Sequence, residues 1–389
     1  MNNQLLARVT LPLIVAAFAS TACGAPPEEA ADESSQSSDA IVASAPLTPA
    51  ERGFVKWNPG NYILGTGTEA TQADRFLDQY GSIAKAIGLQ KEYGWGELEG
   101  KQGQYRWQAI DADLAKLASA GKKLAIVVRY KYDDALPTYV RNMLPAEGVP
   151  PVFTLSGGGP YNHGQHANMG HPGTRARMIA LLHALAARYD ENPNVVSISF
   201  PETSIGASVT AAVQDKFLDG IILMNSAAAH AFKHTPVFQN LNFPRNRLAD
   251  FTDNFVACGM GLGGPDVFFD ALKYPDTGLG YDKPNQPKGV YHYYPVLAPT
   301  IPIGQQIHNG DLLFPTHEAQ LANQPHGLAP AVSIDKNYDF AIGKLESNFI
   351  FWQLLGDDPY ATALKNRLQA PAGLPVRKGC PAVYGGRCK

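Results

Sequence analysis

The sequence predicts an α/β protein built as a (β/α)8 TIM barrel, and three observations support this fold. Segments rich in β-branched and apolar residues alternate with segments in which apolar residues recur at helical spacing. The chain of 389 residues is long enough to hold eight such pairs in one domain. The apolar run at residues 195–200 leads directly into Pro201 and Glu202. Barrels of this kind keep their functional side chains just after buried strands.

Eight short, largely apolar runs are the predicted strands. Strands that alternate with helices along the sequence favour a parallel sheet. The predicted strands span residues 53–57, 88–93, 123–129, 195–200, 235–240, 255–261, 312–318 and 348–354.

Predicted helices fill several of the intervals, at residues 72–87, 107–120, 172–189 and 212–232. The second of them places Ile110, Leu114 and Leu117 on one face and is followed by Gly121, a residue typical of the position after a helix.

The start of the chain has the pattern of an export signal. An apolar run at residues 11–19 is too short to span a bilayer, and small residues then lead into Cys23. We predict a lipoprotein-type signal peptide at residues 1–22, lipidation of Cys23 and a disordered linker at residues 23–50. The protein is then an outer-membrane-anchored lipoprotein. Cleavage by the ordinary signal peptidase, which leaves a free periplasmic or secreted protein, is the alternative.

Residues 51–376 are the predicted barrel domain, and residues 377–389 form a C-terminal tail. Cys380 and Cys388 bracket a turn-rich loop in this tail. Because an exported protein folds in an oxidising compartment, we predict a disulfide between them. Cys258 lies in an apolar segment and is predicted to be a buried free thiol on a strand.

Composition excludes several classes of partner. A formal net charge of -3 and a pI near 6.4 leave no basic footprint for nucleic acid. No segment after the signal is predicted to cross a membrane. His163, His166 and His171 lie in one loop, but their spacing matches no common zinc site, so no metal and no cofactor is predicted.

In the predicted barrel, polar and aromatic side chains just after the strands line one cup. Glu202 follows the fourth predicted strand and Glu318 ends the seventh, on nearly opposite sides of this cup. Glycosidic bond cleavage needs such a pair, because one carboxyl protonates the leaving oxygen and the other attacks or activates water. The predicted substrate-binding residues are Trp57, Asn58, Trp95, Glu97, Arg129, Tyr130, Asn240, Asp266, His292 and Trp352.

One segment carries a resemblance to a known family. It holds the series Trp95, Glu99, Gly103-Gln-Tyr105, Trp107 and Asp111, followed closely by an apolar strand. This series resembles the second-to-third strand region of clan A glycoside hydrolases. The pattern extends over residues 53–355, and its specific parts are residues 95–128 and the strand before Glu202.

The resemblance implies roles for three residues. The clan places its acid/base glutamate past strand four and its nucleophilic glutamate past strand seven, which match Glu202 and Glu318; Trp352 matches an aromatic residue past strand eight. It implies a retaining double displacement on a polysaccharide or oligosaccharide. On this interpretation, burial and repulsion from Glu318 keep Glu202 protonated, so that it can donate to the glycosidic oxygen.

Two positions depart from the family pattern. Asparagine usually precedes the acid/base and contacts the sugar 2-hydroxyl, whereas this chain has Pro201; Asn240 is the predicted substitute. Glu346 competes with Glu318 for the role of nucleophile. We prefer Glu318 because it ends an apolar strand, whereas Glu346 precedes one and would lie at the bottom of the barrel.

Two other functions are compatible with the sequence. Pro201 would suit a non-catalytic carbohydrate-binding surface lipoprotein on a degenerate barrel. A metal-dependent hydrolase would use the loop from His163 to His171. In the leading interpretation the partner is a carbohydrate substrate, with membrane contact through a lipid anchor only.

Overall fold

The computed structural model describes most of the chain from residue 51 onward. The described residues are 51, 53–132, 135–154, 164–205, 209–269, 282, 285–316, 319–320 and 322–389. The predicted signal peptide, Cys23 and the linker therefore lie outside the described residues, as do His163 and Glu318.

Eight parallel strands close into one barrel, which confirms the predicted (β/α)8 fold. Each strand pairs with the next in sequence, and the first pairs with the last. The strands are β1 (Gly60–Gly65), β2 (Ala86–Gly94), β3 (Lys123–Arg129), β4 (Val195–Phe200), β5 (Val237–Asn240), β6 (Gly261–Gly264), β7 (Ile303–Ile307) and β8 (Phe349–Trp352).

A helix follows each strand and covers the outside of the barrel. These helices are α1 (Gln72–Tyr80), α2 (Gln108–Ser119), α3 (Pro172–Tyr189), α4 (Ala211–Ala231), α5 (Leu248–Cys258), α6 (Val290–Leu297), α7 (Pro330–Gly343) and α8 (Pro359–Gln369). Shorter helices at Trp95–Leu98, Thr138–Arg141 and Asn309–Leu313, and two small hairpins, lie in the connections after β2, β3 and β7. Within the described part of the chain, no helix is long and apolar enough to cross a membrane.

Three predicted strands are wrong. Residues 53–57 precede the barrel, which begins at Gly60. Residues 255–258 are the last turn of α5, and the strand begins only at Gly261. The seventh strand is Ile303–Ile307, whereas Leu312 belongs to a short helix. The true β6 and β7 read Gly-Leu-Gly-Gly and Ile-Gly-Gln-Gln-Ile, so glycine and glutamine hide the β-branched signal that identifies a strand.

The barrel interior changes from apolar to polar towards the carboxyl ends of the strands. One buried cluster fills it with the side chains Tyr62, Leu64, Ala125, Val196, Phe238, Phe349 and Phe351. A chain of hydrogen bonds crosses it above these rings. Asn240 donates to Gln306 (3.0 Å), Gln306 donates to Gln90 (3.0 Å), and Gln90 lies 3.5 Å from the Ser199 hydroxyl. This belt is the floor of the cup.

Glycine is required where the interior is narrowest. A Cβ atom on Gly261 would lie 2.4 Å from the ring of Phe238, and one on Gly263 would lie 2.3 Å from the side-chain oxygen of Asn240. The glycines of β6, which weaken its strand signal in the sequence, therefore make room for the side chains of β5.

The two ends of the described chain meet at the amino-terminal end of the barrel. The backbone N–H of Trp57 donates to Lys389 (2.7 Å), and that of Lys389 donates to Val55 (2.8 Å). The predicted disulfide between Cys380 and Cys388 is confirmed. Cys258 is a buried free cysteine as predicted, although it ends helix α5 and not a strand.

Candidate active site

Glu202 lies just beyond the carboxyl end of β4, where the cup opens. Its Oε2 atom accepts a hydrogen bond of 2.5 Å from the side-chain amide of Asn242, and its Oε1 atom lies 3.6 Å from Nζ of Lys131. The Glu202 side chain is 38% exposed, whereas that of Lys131 is 7% exposed. The buried Lys131 cation and the Asn242 amide therefore bind the Glu202 carboxylate, which is still partly exposed to solvent.

The partners of Glu202 come from the strands on either side of β4. Lys131 follows β3 by two residues, and its ammonium also donates to the carbonyl of Ser204 (2.6 Å). Asn242 follows β5 by two residues. The Thr203 hydroxyl donates to the carbonyl of Phe243 (2.6 Å), which ties the β4 and β5 connections together. Glu202 is thus held by three neighbouring strand ends.

The surroundings of Glu202 do not match the basis on which it was predicted to stay protonated. That prediction required burial and a nearby negative charge. The side chain is instead partly open, and the group paired with it is a cation. Burial lowers the pKa of Lys131, and the charge of Glu202 and its hydrogen bond to Lys131 oppose that effect. Lys131 and Asn242 together hold the Glu202 side chain in position.

Asp266 and His308 form a second polar cluster, across the cup from β3. Asp266 follows β6 by two residues, His308 follows β7 directly, and Oδ1 of Asp266 lies 3.6 Å from Nδ1 of His308. Asp311, which is 1% exposed, accepts hydrogen bonds from the backbone N–H groups of His308 (2.9 Å) and Val267 (3.0 Å). Asp311 therefore joins the two strand ends that carry the pair.

The electrostatics of this cluster are strongly perturbed. Burial opposes the charge on His308, but the hydrogen bond to Asp266 and the charges of Asp311, Asp266 and Glu202 outweigh it and raise the His308 pKa to about 9. Burial, followed by the charge of Asp266, raises the pKa of Asp311 to about 8. His308, Asp311 and Asp266 therefore titrate as one interacting group.

Five of the predicted site residues lie at the carboxyl ends of the strands: Glu202, Asp266, Arg129, Tyr130 and Asn240. Arg129 lies 3.8 Å from Glu92 and stacks over the ring of Tyr132 at 5.7 Å. Tyr130 is fully buried. The amide of Asn240, predicted to contact the sugar 2-hydroxyl, donates to Gln306 in the floor of the cup, and the amide of Asn242 contacts Glu202.

The other predicted substrate-binding residues lie away from the cup. Trp57 and Asn58 precede β1 and lie at its amino-terminal end, where Trp57 packs against Phe349 and Tyr384. Trp352 is fully buried and faces outward, because side chains alternate along a strand and Phe351 points into the barrel. Its ring N–H donates to Asn61 (3.0 Å). None of these can stack on a sugar in the cup.

Three more of the predicted substrate-binding residues make their contacts away from the cup: Trp95, Glu97 and His292. Trp95 is fully buried and donates to Glu99 (2.9 Å), a buried carboxylate that also accepts a hydrogen bond from Tyr139 (2.7 Å). Burial raises the pKa of Glu97, whose neighbours come from β2, from the same connection and from α2. His292 lies on α6 and faces Asp282 at 3.3 Å.

Two glutamates, Glu318 and Glu346, were candidates for the catalytic nucleophile. Glu318 lies outside the described residues, and the seventh strand, which it was predicted to end, is Ile303–Ile307. Glu346 lies just before β8 and pairs with Arg377 at 2.6 Å. It is therefore at the bottom of the barrel, as predicted.

The histidine loop has two described members, and both bind protein atoms. The ring Nδ1 of His171 accepts from the backbone N–H of Thr174 at the start of α3 (3.0 Å), while Nε2 lies 3.0 Å from the carbonyl of Leu144. His166 is buried, with Nδ1 2.6 Å from the carbonyl of Ala167. Among the described residues, no group of three or more metal-ligating side chains comes together.

Sequence analysis missed four residues of the site: Lys131, Asn242, His308 and Asp311. Lys131 and Asn242 follow correctly predicted strands by two residues, so attention to that offset would have found them. His308 and Asp311 follow β7, which the sequence does not reveal.

Comparison with solved structures supports the barrel fold. The catalytic domain of beta-amylase from Paenibacillus polymyxa matches with a TM-score of 0.52 at 9% identity, over 82% of this chain and 100% of that domain. The chain shares the barrel fold of this beta-amylase domain.

Two further matches have lower scores. Endo-glycoceramidase II from Rhodococcus sp. covers 83% of this chain and 79% of its own at 14% identity and a TM-score of 0.46. A psychrophilic family 10 endo-beta-1,4-xylanase covers 80% and 96% at 13% identity and a TM-score of 0.45. No protein-family model and no curated protein matches the chain. At these identities the likeness establishes the fold alone.

Proposed function

We propose that the protein is a glycoside hydrolase that acts on a polysaccharide or its oligosaccharides, with Glu202 as one of two catalytic carboxylates. The observation that carries the proposal is the position of Glu202. It stands at the carboxyl end of β4 in a barrel with a glycoside hydrolase fold, open to the cup and held by Lys131 and Asn242. This is the end of the barrel at which enzymes of the fold place their chemistry.

In the double displacement that the family resemblance implies, Glu202 is the acid/base. It donates its proton to the leaving glycosidic oxygen and later accepts a proton from the incoming water. Between these steps Glu202 is a carboxylate, and the Lys131 cation at 3.6 Å stabilises that form. The side-chain amide of Asn242 donates to Glu202 and fixes the orientation of the carboxyl group.

The second carboxylate was predicted to be Glu318. It belongs to the connection between β7 and α7, so the prediction that it reaches the cup still stands, but it no longer has the support of a strand end. Retention is likewise a prediction, and the configuration of the released sugar tests it. A pair of carboxyls about 5–5.5 Å apart supports retention, and a gap of about 6.5–9.5 Å supports inversion.

The test is a screen of the full-length protein against plant, algal and bacterial polysaccharides, with reducing ends as the readout. We expect the native protein to release sugar and Glu202→Gln to lose activity by roughly 10²–10⁴-fold, the usual contribution of a general acid/base. Glu346→Gln is the matched control, because this glutamate lies at the opposite end of the barrel, and it should retain activity.

The outcomes separate enzyme from binder. Equal release by the native protein and Glu202→Gln would remove Glu202 from the mechanism. If the native protein released nothing from any polysaccharide but bound one of them, the non-catalytic carbohydrate-binding alternative would replace the enzyme.

We also propose export, with a lipid on Cys23 and anchoring in the outer membrane. Support comes from the small residues before Cys23, the linker that follows it, and a disulfide between Cys380 and Cys388 that suits an oxidising compartment. The chain enters the barrel at its amino-terminal end, where Val55 pairs with the C-terminal tail. A tether attached there would leave the cup facing away from the membrane.

A further inference from the structure

We infer that Asp266 is the second catalytic carboxylate, with His308 and Asp311 as its positioning residues. This inference rests on the proposed function and replaces Glu318 as the partner of Glu202. Asp266 follows β6, two strands from the β4 end that carries Glu202. Its side chain is 26% exposed, so the carboxylate reaches the cup.

The backbone around Asp266 is fixed from two directions. The carbonyl of Asp266 accepts a hydrogen bond from the Tyr291 hydroxyl (3.1 Å), and the same hydroxyl accepts from the N–H of Phe268 (3.1 Å). The N–H of Val267 donates to Asp311 (3.0 Å). These contacts fix the backbone of the segment, and the Asp266 side chain points to His308. A reacting group needs such support from its neighbours.

His308 is the side chain that lies beside the Asp266 carboxylate. Its Nδ1 atom lies 3.6 Å from Asp266, and its backbone N–H is held by Asp311. Asp311 is 1% exposed, and its Oδ1 atom has no hydrogen-bond partner among the described residues, so it is retained in spite of an energetic cost. Asp266 can act as the nucleophile because its carboxylate is partly exposed and lies beside His308.

The reaction balances with these groups. An Asp266 oxygen bonds to the anomeric carbon as the bond from that carbon to the glycosidic oxygen breaks, and the Glu202 proton passes to that oxygen. Water then bonds to the anomeric carbon, its proton passes to Glu202, and Asp266 leaves as a carboxylate. Glu202 and Asp266 each follow a strand by two residues, β4 and β6, and the strands of a parallel barrel all end on the same side, so both carboxylates lie at the end that carries the cup.

The decisive experiment is covalent trapping on the full-length protein. The probes are dinitrophenyl 2-deoxy-2-fluoro-glycosides of glucose, galactose, mannose and xylose, followed by proteolysis and mass spectrometry. We expect one fluorosugar on the peptide that contains Asp266. A label on Glu318 would overturn the inference and leave the proposed function intact. Release of a product of inverted configuration would also overturn it.

Variants give an independent comparison. Asp266→Asn should lose activity by roughly 10³-fold or more, whereas Asp253→Asn, an exposed aspartate on α5, should retain it. Azide should restore turnover to Asp266→Gly and yield a glycosyl azide of inverted configuration, which a merely structural role would not produce. Full activity of Asp266→Asn would overturn the inference.

A further readout needs no substrate and so separates this inference from the proposed function. In an NMR titration of the full-length protein, the pKa of His308 should fall in Asp266→Asn and stay unchanged in Asp253→Asn. An unchanged His308 pKa in Asp266→Asn would show that the pair does not form, whether or not the protein cleaves sugars.

Discussion

Each charged side chain of the cup has its interaction partners on other strands. His308 follows β7, yet its charge is set by Asp266 after β6 and by Glu202 after β4. Glu202 in turn is held by a lysine after β3 and an asparagine after β5. No residue of this group is perturbed by its neighbours in sequence alone, so the site exists only in the closed barrel.

The titration of His308 predicts how stability changes with pH. A pKa raised from 6.5 to about 9 means that the folded protein keeps a proton which the unfolded chain has released. The stabilisation is complete below pH 6.5 and is lost as pH rises through about 9. Burial also raises the pKa of the neighbouring Asp311, so the two groups titrate as a pair whose proton loss destabilises the fold in this range. The melting temperature should therefore fall between pH 6.5 and 9.

Thermal unfolding across this range checks the prediction. His308→Gln should show a shallower decline than the native protein, and His183→Gln, which replaces an exposed histidine on α3, should show the native decline. The same slope in all three proteins would mean that other groups control the effect.

At the scale of elements, the packing of helices around the barrel depends on close contacts between their backbones. Helix α4 approaches the segment before α3 so closely that a Cβ atom on Gly220 would lie 2.0 Å from the Met169 carbonyl oxygen. Reciprocally, a Cβ atom on Gly170 would lie 2.7 Å from the backbone of Lys216 and Phe217. A glycine inside a helix costs about 1 kcal/mol relative to alanine, so its presence here reflects packing.

Gly220→Ala should therefore destabilise the protein, although alanine is the better helix former. The expected loss is about 1–3 kcal/mol, the range for overpacking, measured by urea unfolding. Gly343→Ala is the control, because it lies at the end of α7 with nothing within 4 Å of the added Cβ atom. It should be neutral or stabilise by up to about 1 kcal/mol. A stable Gly220→Ala would show that α4 can move outward at little cost.

At the scale of the whole molecule, the barrel separates the cup from the chain ends. Residues before β1 and the C-terminal tail pair at the amino-terminal end, and the candidate site lies at the carboxyl ends of the strands. This arrangement suits a protein tethered through its N-terminal segment, because the tether and the substrate would approach opposite ends.

Lipid attachment can be tested on the full-length chain in a Gram-negative host. The native protein should incorporate labelled palmitate, Cys23→Ser should not, and Cys258→Ser should still do so, since Cys258 is buried in α5. A native protein without label but with a new N-terminus after the signal would identify ordinary signal peptidase cleavage instead.

The sequence by itself determined the strands that carry their own pattern. Residues 123–129 and 195–200 were predicted with the bounds that they have in the barrel, because both are dense in β-branched and apolar residues. The position of Glu202 followed from the second of them. The disulfide of the C-terminal tail followed from a short, turn-rich spacing.

Only the tertiary structure decided which side chains face the cup. Strand β6 is short and rich in glycine because it must leave room for Phe238 and Asn240 of the neighbouring β5, and the residues of β6 do not themselves reveal this requirement. Side-chain direction reverses with each residue, so Trp352 points outward and Phe351 inward. Lys131, Glu202 and Asn242 meet because closure of the barrel brings three separate strand ends together.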